Sequence, residues 1–327
     1  RGKHLGFGTS NTVTGVASTN FEHVELRFDP GGSITLISGA MDHGQGHATT
    51  FKQVLSEKLG IDGHDVKYRF GDTDKVATGV GTFNARCAVF VGSAVANAAD
   101  KIIAKGKRIA AHLLEAAEGD IDYSNGQFTV AGTDRSIDLT EVAKTAFQKP
   151  KLPPDIEPGF YEHGEFGMGI GEAPTYPNGS HLAEVEIDAD TGKISIVRYT
   201  AVDDAGTILN PLLFDGQVHG GIVQGASQIL MEDIHYDQEN GQLMTGSFMD
   251  YCMPRADDFC EFNISANEIP TLRNPLGVKG VGEAGTCGAL PAVQNAVNDA
   301  LHHAGASSVE MPATPEKVWR ALEAGRG

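Results

Sequence analysis

Two pairs of segments alternate apolar and polar residues around turn signals. "FEHVELRF" and "SITLIS" flank "DPGG", which predicts an antiparallel hairpin over about residues 21–38. "HLAEVEID" and "KISIVRYTAVDD" flank "ADTG" and predict a second one over about 181–204. The spacing of Asp188, Asp190 and Gly192 resembles the start of a calcium loop, but the remaining ligands are missing and the segment reads as a turn. Elsewhere the period becomes helical. Ala48, Phe51, Val54, Leu55 and Leu59 predict a helix stopped by Gly60, and a longer helix is expected from Asn84 to Ala117, broken near Gly106. Val218, Ile222, Val223, Ala226 and Ile229 share one face of a third helix. "PAVQNAVNDALHH" and "TPEKVWRALEA" predict two more, the last with Thr314 as N-cap and Pro315 at its first position. The proline- and glycine-rich stretch 148–180 reads as an extended crossover, dividing the chain into halves of about 1–150 and 176–327 with a linker of about 151–175. Strands and helices interleave without a βαβ repeat, so the expected class is α+β and not a Rossmann sheet.

Composition narrows the partners. With 327 residues, 40% hydrophobic and 21% charged, the chain can bury a large core. Its 25 basic and 43 acidic residues give a net charge of −18, which excludes nucleic acid and anionic membrane surfaces as partners; an anion would have to be held by local backbone N–H groups. No apolar run approaches the ~18 residues of a membrane span, and the start "RGKHLGFGTS" has no signal-peptide pattern. Beginning at Arg1 without a methionine, the chain reads as a fragment or a trimmed subunit. Cys87, Cys252, Cys260 and Cys287 form no CxxC pair, so reduced thiols in a cytoplasmic protein are expected, with neither a zinc nor an iron–sulfur site.

The 41 glycines gather in short loops. Three share one design, in which glycines and a polar side chain lead to a helix whose first N–H groups would be free for an anion: Gly44–Thr49, Gly81–Arg86 and Gly280–Gly285. Each alone is a common tight turn; three together favour one anionic ligand with extended polar edges. None is a nucleotide motif: "GVGTFNA" lacks the third glycine of GxGxxG, and GxxxxGK[ST], GxSxG and HExxH are all absent. Among the histidines His47 stands out, at a helix start beside Gln45. Glu283 lies among glycines and apolar residues, where loss of solvation suits a general base and Lys279 nearby opposes it. A helix N-terminal cap explains the same acid equally well, and spacing does not decide.

"GQGHATTF", "GDTD" followed by "GTFNARC", "AEVEIDADTGKISIVRY", "VDDAGTILNPLLFDGQVHGGIVQG", "GSFMDYCMPRADD" and "NPLGVKGVGEAGTCGALPAVQNAVNDAL" run in one order over nearly the whole chain. In that order they resemble the molybdenum-binding subunit of the xanthine oxidase, aldehyde oxidase and aerobic carbon monoxide dehydrogenase family, closest to the carbon monoxide dehydrogenase large-subunit branch. The resemblance implies the C-terminal molybdopterin-binding domain of the aldehyde oxidoreductase type, with mixed sheets and packed helices in two intertwined subdomains. It implies a molybdopterin cytosine dinucleotide cofactor and oxidation of a carbon centre of an aldehyde, N-heterocycle or carbon monoxide, with water as oxygen source. Two electrons would leave to Fe–S and FAD centres on partner subunits.

By the same resemblance Glu283 is the catalytic base. Gln45, Gly46, His47, Ala48 and Thr49 would contact pterin or dinucleotide, and Thr82, Phe83, Ala85 and Arg86 would line its phosphate and base end. Asp204, Asn210 and Gln217 are further candidates, and Lys279, Val281 and Gly282 would offer donors beside the metal. The family's preceding half, with a GGxFGxK-type loop and the loop that shapes the substrate pocket, does not occur in this sequence. An N-terminal molybdenum-binding half or subunit is therefore an expected partner, alongside the Fe–S subunit, the FAD subunit and a small-molecule substrate. The chain is expected to be inactive in isolation; a non-catalytic scaffold is the alternative.

Overall fold

The computed structural model describes residues 2–16, 21–168 and 174–326. In chain order the elements are β1 (Lys3–Val13), β2 (Phe21–Phe28), β3 (Ile34–Ser38), α1 (His47–Leu59), β4 (Val66–Phe70), α2 (Cys87–Leu113), β5 (Ile121–Ser124), β6 (Gln127–Val130), β7 (Ser136–Asp138), α3 (Leu139–Thr145), β8 (Tyr161–Gly167), β9 (Asn178–Asp188), β10 (Ile194–Asp204), α4 (Pro211–Leu230), β11 (Phe262–Ala266), α5 (Ala284–His303) and α6 (Pro315–Gly325). They sort into two compact units. The first comprises Arg1–Gly15, Tyr176–Ile269 and Val281–Gly327; the second comprises Val16–Thr175 and Pro270–Gly280. The expected linear halves differ from this division in two places: the first strand belongs with the second half, and 270–280 belongs with the first. Inside the expected linker 151–175, β8 is a regular strand of the second unit, and residues 169–173 lie outside the described residues.

The first unit is built on a four-stranded sheet of order β1-β9-β10-β11. The expected second hairpin is β9 and β10, antiparallel with a bulge between Ile196 and Arg198. β1 pairs antiparallel along β9, from Lys3 opposite Asp188 to Val13 opposite Asn178. Alternation puts Ala183, Val185 and Ile187 on the face that packs with Phe214, Val218 and Ile222 of α4 and with Ala292, Val293 and Val297 of α5. α5 begins at Ala284, ahead of the expected start at Pro291, which lies inside the helix. "AGTCGAL" has the glycine content of a loop, yet its small residues let α5 press against α4. A Cβ on Gly285 would stand 2.4 Å from the Val218 carbonyl oxygen. Burial at this crossing outweighs the poor helix propensity of glycine.

The second unit carries a sheet of order β4-β3-β2-β8 and a small one of order β5-β6-β7. β2 and β3 are the expected hairpin, and α1 ends at Gly60 as predicted. The absence of βαβ units is overturned. β3 and β4 are parallel neighbours joined through α1, as β10 and β11 are in the first unit through α4, within mixed sheets that remain α+β in character. α2 runs unbroken through Gly106, against which the Phe128 ring packs. It starts after Asn84 and Ala85, whose φ values of 47° and 45° exclude them from a right-handed helix. Contrary to the sequence expectation, α2 is long and apolar enough by composition to cross a membrane, but 67% of its most apolar window is buried, as befits a core helix.

Candidate functional site

In the second unit the two glycine-rich loops meet at one backbone oxygen. The Met41 carbonyl accepts from Gln45 Nε2 (3.2 Å), His47 Nδ1 (3.1 Å) and Thr82 Oγ1 (2.8 Å). His47 also stacks on Phe51, with ring centroids 5.0 Å apart. Burial pushes its imidazole below the ordinary value, opposed in part by Asp42 and by the Met41 carbonyl. The ring is therefore neutral near pH 7; with Nδ1 donating, Nε2 is left as an acceptor.

Contrary to the sequence expectation, the N–H groups at the start of α1 are not all free. Asp42 accepts from the backbone N–H of Gly44 (3.1 Å), Gly46 (3.4 Å) and Ala48 (2.8 Å), so an internal carboxylate already answers the N-terminus of α1. Burial pushes the Asp42 carboxyl up, but those three donors together outweigh it and hold it below its ordinary value. Thr49, exposed on the first turn, closes back to the Gly46 carbonyl.

The second loop is organised from inside by a residue the sequence reading missed. Glu22, 0% exposed, accepts from the backbone N–H of Val80 (3.0 Å) and Gly81 (2.9 Å) and from Arg86 Nη1 (2.5 Å). Arg86, 1% exposed, also donates to the carbonyls of Gly81 (2.6 Å) and Phe21 (3.0 Å) and lies over the rings of Phe83 and Phe90. It was expected at a ligand's phosphate end; the structure turns it inward. The signal for Glu22 was present in "FEHVELRF": period two places it on the face of Val24, Leu26 and Phe28, where an acid needs a partner. Phe83 remains 49% exposed beside this buried pair. The carbonyl of Ala85 fills the space a side chain at Gly280 would need, 2.0 Å from its ideal Cβ, so the loop rests on the segment that carries Lys279, whose own contacts are satisfied.

In the first unit Val281 and Gly282 lead to Glu283, the N-cap position of α5. The cap alternative raised by the sequence does not describe the side chain: it makes no cap hydrogen bond, and Oε2 is buried with no partner. Only its backbone serves the helix, the carbonyl accepting from Cys287 N–H at 3.0 Å. Thr286, one turn in, is tied to α4 through the Gly221 carbonyl (3.1 Å) and Gln224 Oε1 (3.0 Å).

Asp204 and Asn210 have scaffold tasks. Asp204 Oδ1 accepts from the N–H of Gly206 (2.8 Å) and Ile269 (3.2 Å), and Asn210 Oδ1 caps α4 at Leu213 N–H (3.0 Å). Gln217 is half-buried on α4. A further buried cluster went unread in the sequence: His181 joins the Tyr199 hydroxyl through Nδ1 (2.8 Å) and the Asp203 carboxylate through Nε2 (3.2 Å). Its in-phase place in "HLAEVEID" was the available signal.

The family model for the molybdopterin cofactor-binding domain matches residues 1–260. The carbon monoxide dehydrogenase large chain of Afipia carboxidovorans is 35% identical over 98% of this chain and 39% of its own length. The nicotine 6-hydroxylase large subunit of Paenarthrobacter nicotinovorans is 39% identical over 98% of this chain and 41% of its own. Among solved structures, a Cu,Mo-CO dehydrogenase in its carbon monoxide reduced state superposes with a TM-score of 0.90 at 34% identity, over 99% of this chain and 42% of that one. The chain thus spans about two-fifths of the length of these relatives. It belongs to the molybdopterin cofactor-binding domain family.

Proposed function

We propose that this chain supplies the general base and part of the cofactor cradle of a molybdenum hydroxylase that oxidises a carbon centre with oxygen from water. The observation that carries the reading is the buried, unpartnered Oε2 of Glu283, fixed at the start of a helix that its side chain does not cap. A native fold rarely leaves such an oxygen without a proton or a donor to meet, and an orphan of this kind fits a bound group that supplies one. When bound, molybdopterin, as its cytosine dinucleotide, would supply the metal that takes up two electrons as the substrate carbon gains oxygen from water and two protons are released.

The chain's own residues hold and deprotonate. Glu283 Oε2 takes the proton from the water-derived oxygen that attacks the carbon, and the α4–α5 crossing keeps the carboxylate in place. Gln45, His47 and Thr82, drawn together on the Met41 carbonyl, present polar edges to the pterin or dinucleotide, with Gly46, Ala48 and Thr49 lining the approach. Phe83 and Ala85 offer surface at its base end. Lys279, Val281 and Gly282 would offer donors to the metal-bearing part of the group. Partner subunits would carry the Fe–S and FAD centres that receive the two electrons. A companion half supplies the remaining walls and the substrate pocket, which fixes whether an aldehyde, an N-heterocycle or carbon monoxide is taken. The unpaired thiols fit a cytoplasmic setting.

Glu283→Gln in the assembled protein is expected to cut turnover by about 10²- to 10⁴-fold while molybdenum content stays near that of the wild type. Undiminished turnover overturns the assignment. The scaffold alternative draws on one observation, that Asp42 and Glu22 already fill the anion positions of two loops. Metal analysis of the assembled protein separates the two, since a scaffold carries no molybdenum.

A further inference from the structure

Between α4 and β11 the first unit carries residues 231–261, a loop far longer than the connections usual in compact domains. It is nevertheless organised. The Glu232 carboxylate accepts from both the Ser227 and Tyr251 hydroxyls, and the Asp237 carboxylate accepts the N–H groups of Glu239 (2.8 Å) and Asn240 (3.0 Å). Tyr236 bridges Leu243, and Ser247 Oγ donates to Asp250 at 2.6 Å.

On this fixed frame the apolar side chains point outward: Phe248 is 85% exposed, Met249 93% and Met244 54%, with Ile234, Tyr236 and Met253 also open. Isolated exposed leucines are ordinary. A run of large apolar groups on one ordered loop is the mark of an interface. Its surroundings are acidic: the stretch contains Glu232, Asp233, Asp237, Glu239, Asp250, Asp257, Asp258 and Glu261 against one Lys or Arg, Arg255.

We infer that the 231–261 loop is a docking surface for the companion stretch that makes up the rest of the large chain in the relatives, and that this stretch meets it with an apolar patch rimmed by lysine and arginine. Two observations select that occupant. This chain matches only 39% and 41% of the length of its relatives, whose large chains therefore carry a further stretch longer than the matched one. A second copy is disfavoured by charge, because a symmetric contact would set one acidic rim against another in a chain that already carries −18. Methionines suit the task, since their flexible thioethers adapt to a partner's relief. The inference is independent of the role of Glu283.

The test reads association and leaves turnover aside. In the assembled protein, limited peroxide treatment followed by peptide mass spectrometry should show Met244 and Met249 oxidised at least about tenfold more slowly than in the same assembly unfolded in denaturant. Cross-links from this loop should lead to the companion stretch. Oxidation at the unfolded rate, or cross-links leading to a second copy, overturns the inference. Phe248→Ser combined with Met249→Ser, coexpressed with the companion, should weaken its capture at least about tenfold, increasingly so at high salt. Both side chains are exposed, so the double variant should keep the parent's thermal midpoint. Undiminished capture counts against the surface.

Discussion

Replacing Glu22 by glutamine keeps the side chain's shape and an oxygen for the N–H groups of Val80 and Gly81, but removes the charge that faces Arg86. Both partners are fully buried, side chains at 0% and 0% exposure, so no water replaces the lost counter-ion. Breaking a buried pair at one end costs about 3–5 kcal/mol. The unit concerned runs over Val16–Thr175 and Pro270–Gly280, a size at which each kcal/mol lowers the melting temperature by about 2–4 °C, which gives a fall of about 6–20 °C. Scanning calorimetry on Glu22→Gln, Arg86→Met and the combined Glu22→Leu/Arg86→Met reads this directly. Each single variant should fall in that range, and the double variant should lose less than the sum of the two, because removing both charges removes the desolvation penalty with them. A Glu22→Gln protein that melts within about 1 °C of the parent would refute the argument. Equally damaging would be an Arg86→Met protein that loses bound pterin while its melting temperature is unchanged, for Arg86 would then serve a ligand and not the fold.

Gly285→Ala should destabilise by about 1–3 kcal/mol in urea titration, because the new Cβ meets the backbone of α4 at Val218 and Ile222 and the two helices must part. In the assembled protein it should lower kcat more than it raises KM, since Glu283 rides on the same helix; a normal kcat with reduced stability would separate the crossing from the base. His47 should titrate in proton NMR with a midpoint below the ordinary value of about 6.5. Its folded-state pKa lies below the unfolded one, so its contribution to stability is complete above about pH 6.5 and is lost as pH falls through the lower value. A midpoint above 6.5 would mean that Asp42 dominates and the ring is charged.

Much of the fold was legible because its elements are amphipathic with clean periods: both hairpins, the Gly60 stop of α1 and the Thr314 cap of α6 stand where alternation and turn chemistry put them. What escaped depends on contacts distant in sequence. The start of α5 looks like a loop because its glycines answer to α4, and strand order across a sheet leaves no local trace, which hid the parallel pairings β3–β4 and β10–β11. At the site, loop positions were readable but loop chemistry was not. Whether an N–H group is available depends on carboxylates elsewhere, Asp42 six residues back and Glu22 about sixty, and only the second betrayed itself through a polar residue in a core phase. Glu283 was balanced between two readings on sequence; the missing cap bond is a fact of geometry.

The pairing of β1 with β9, and its packing on α5, bear on how the chain is made. β1 is made before the rest of its own unit, yet its partner strand β9 begins 165 residues after β1 ends, and Asp299, whose carboxylate accepts the Phe7 N–H, lies 292 residues later. Throughout synthesis this strand must wait with its edge unpaired, while the strands of the β4-β3-β2-β8 sheet, all within Phe21–Gly167, can pair earlier. Of the strands in this sheet, β1 is thus the one open to wrong pairing for longest. A protein truncated after Ile269, though it retains the eleven strands found among the described residues, would lack α5, the helix on which β1 is laid down.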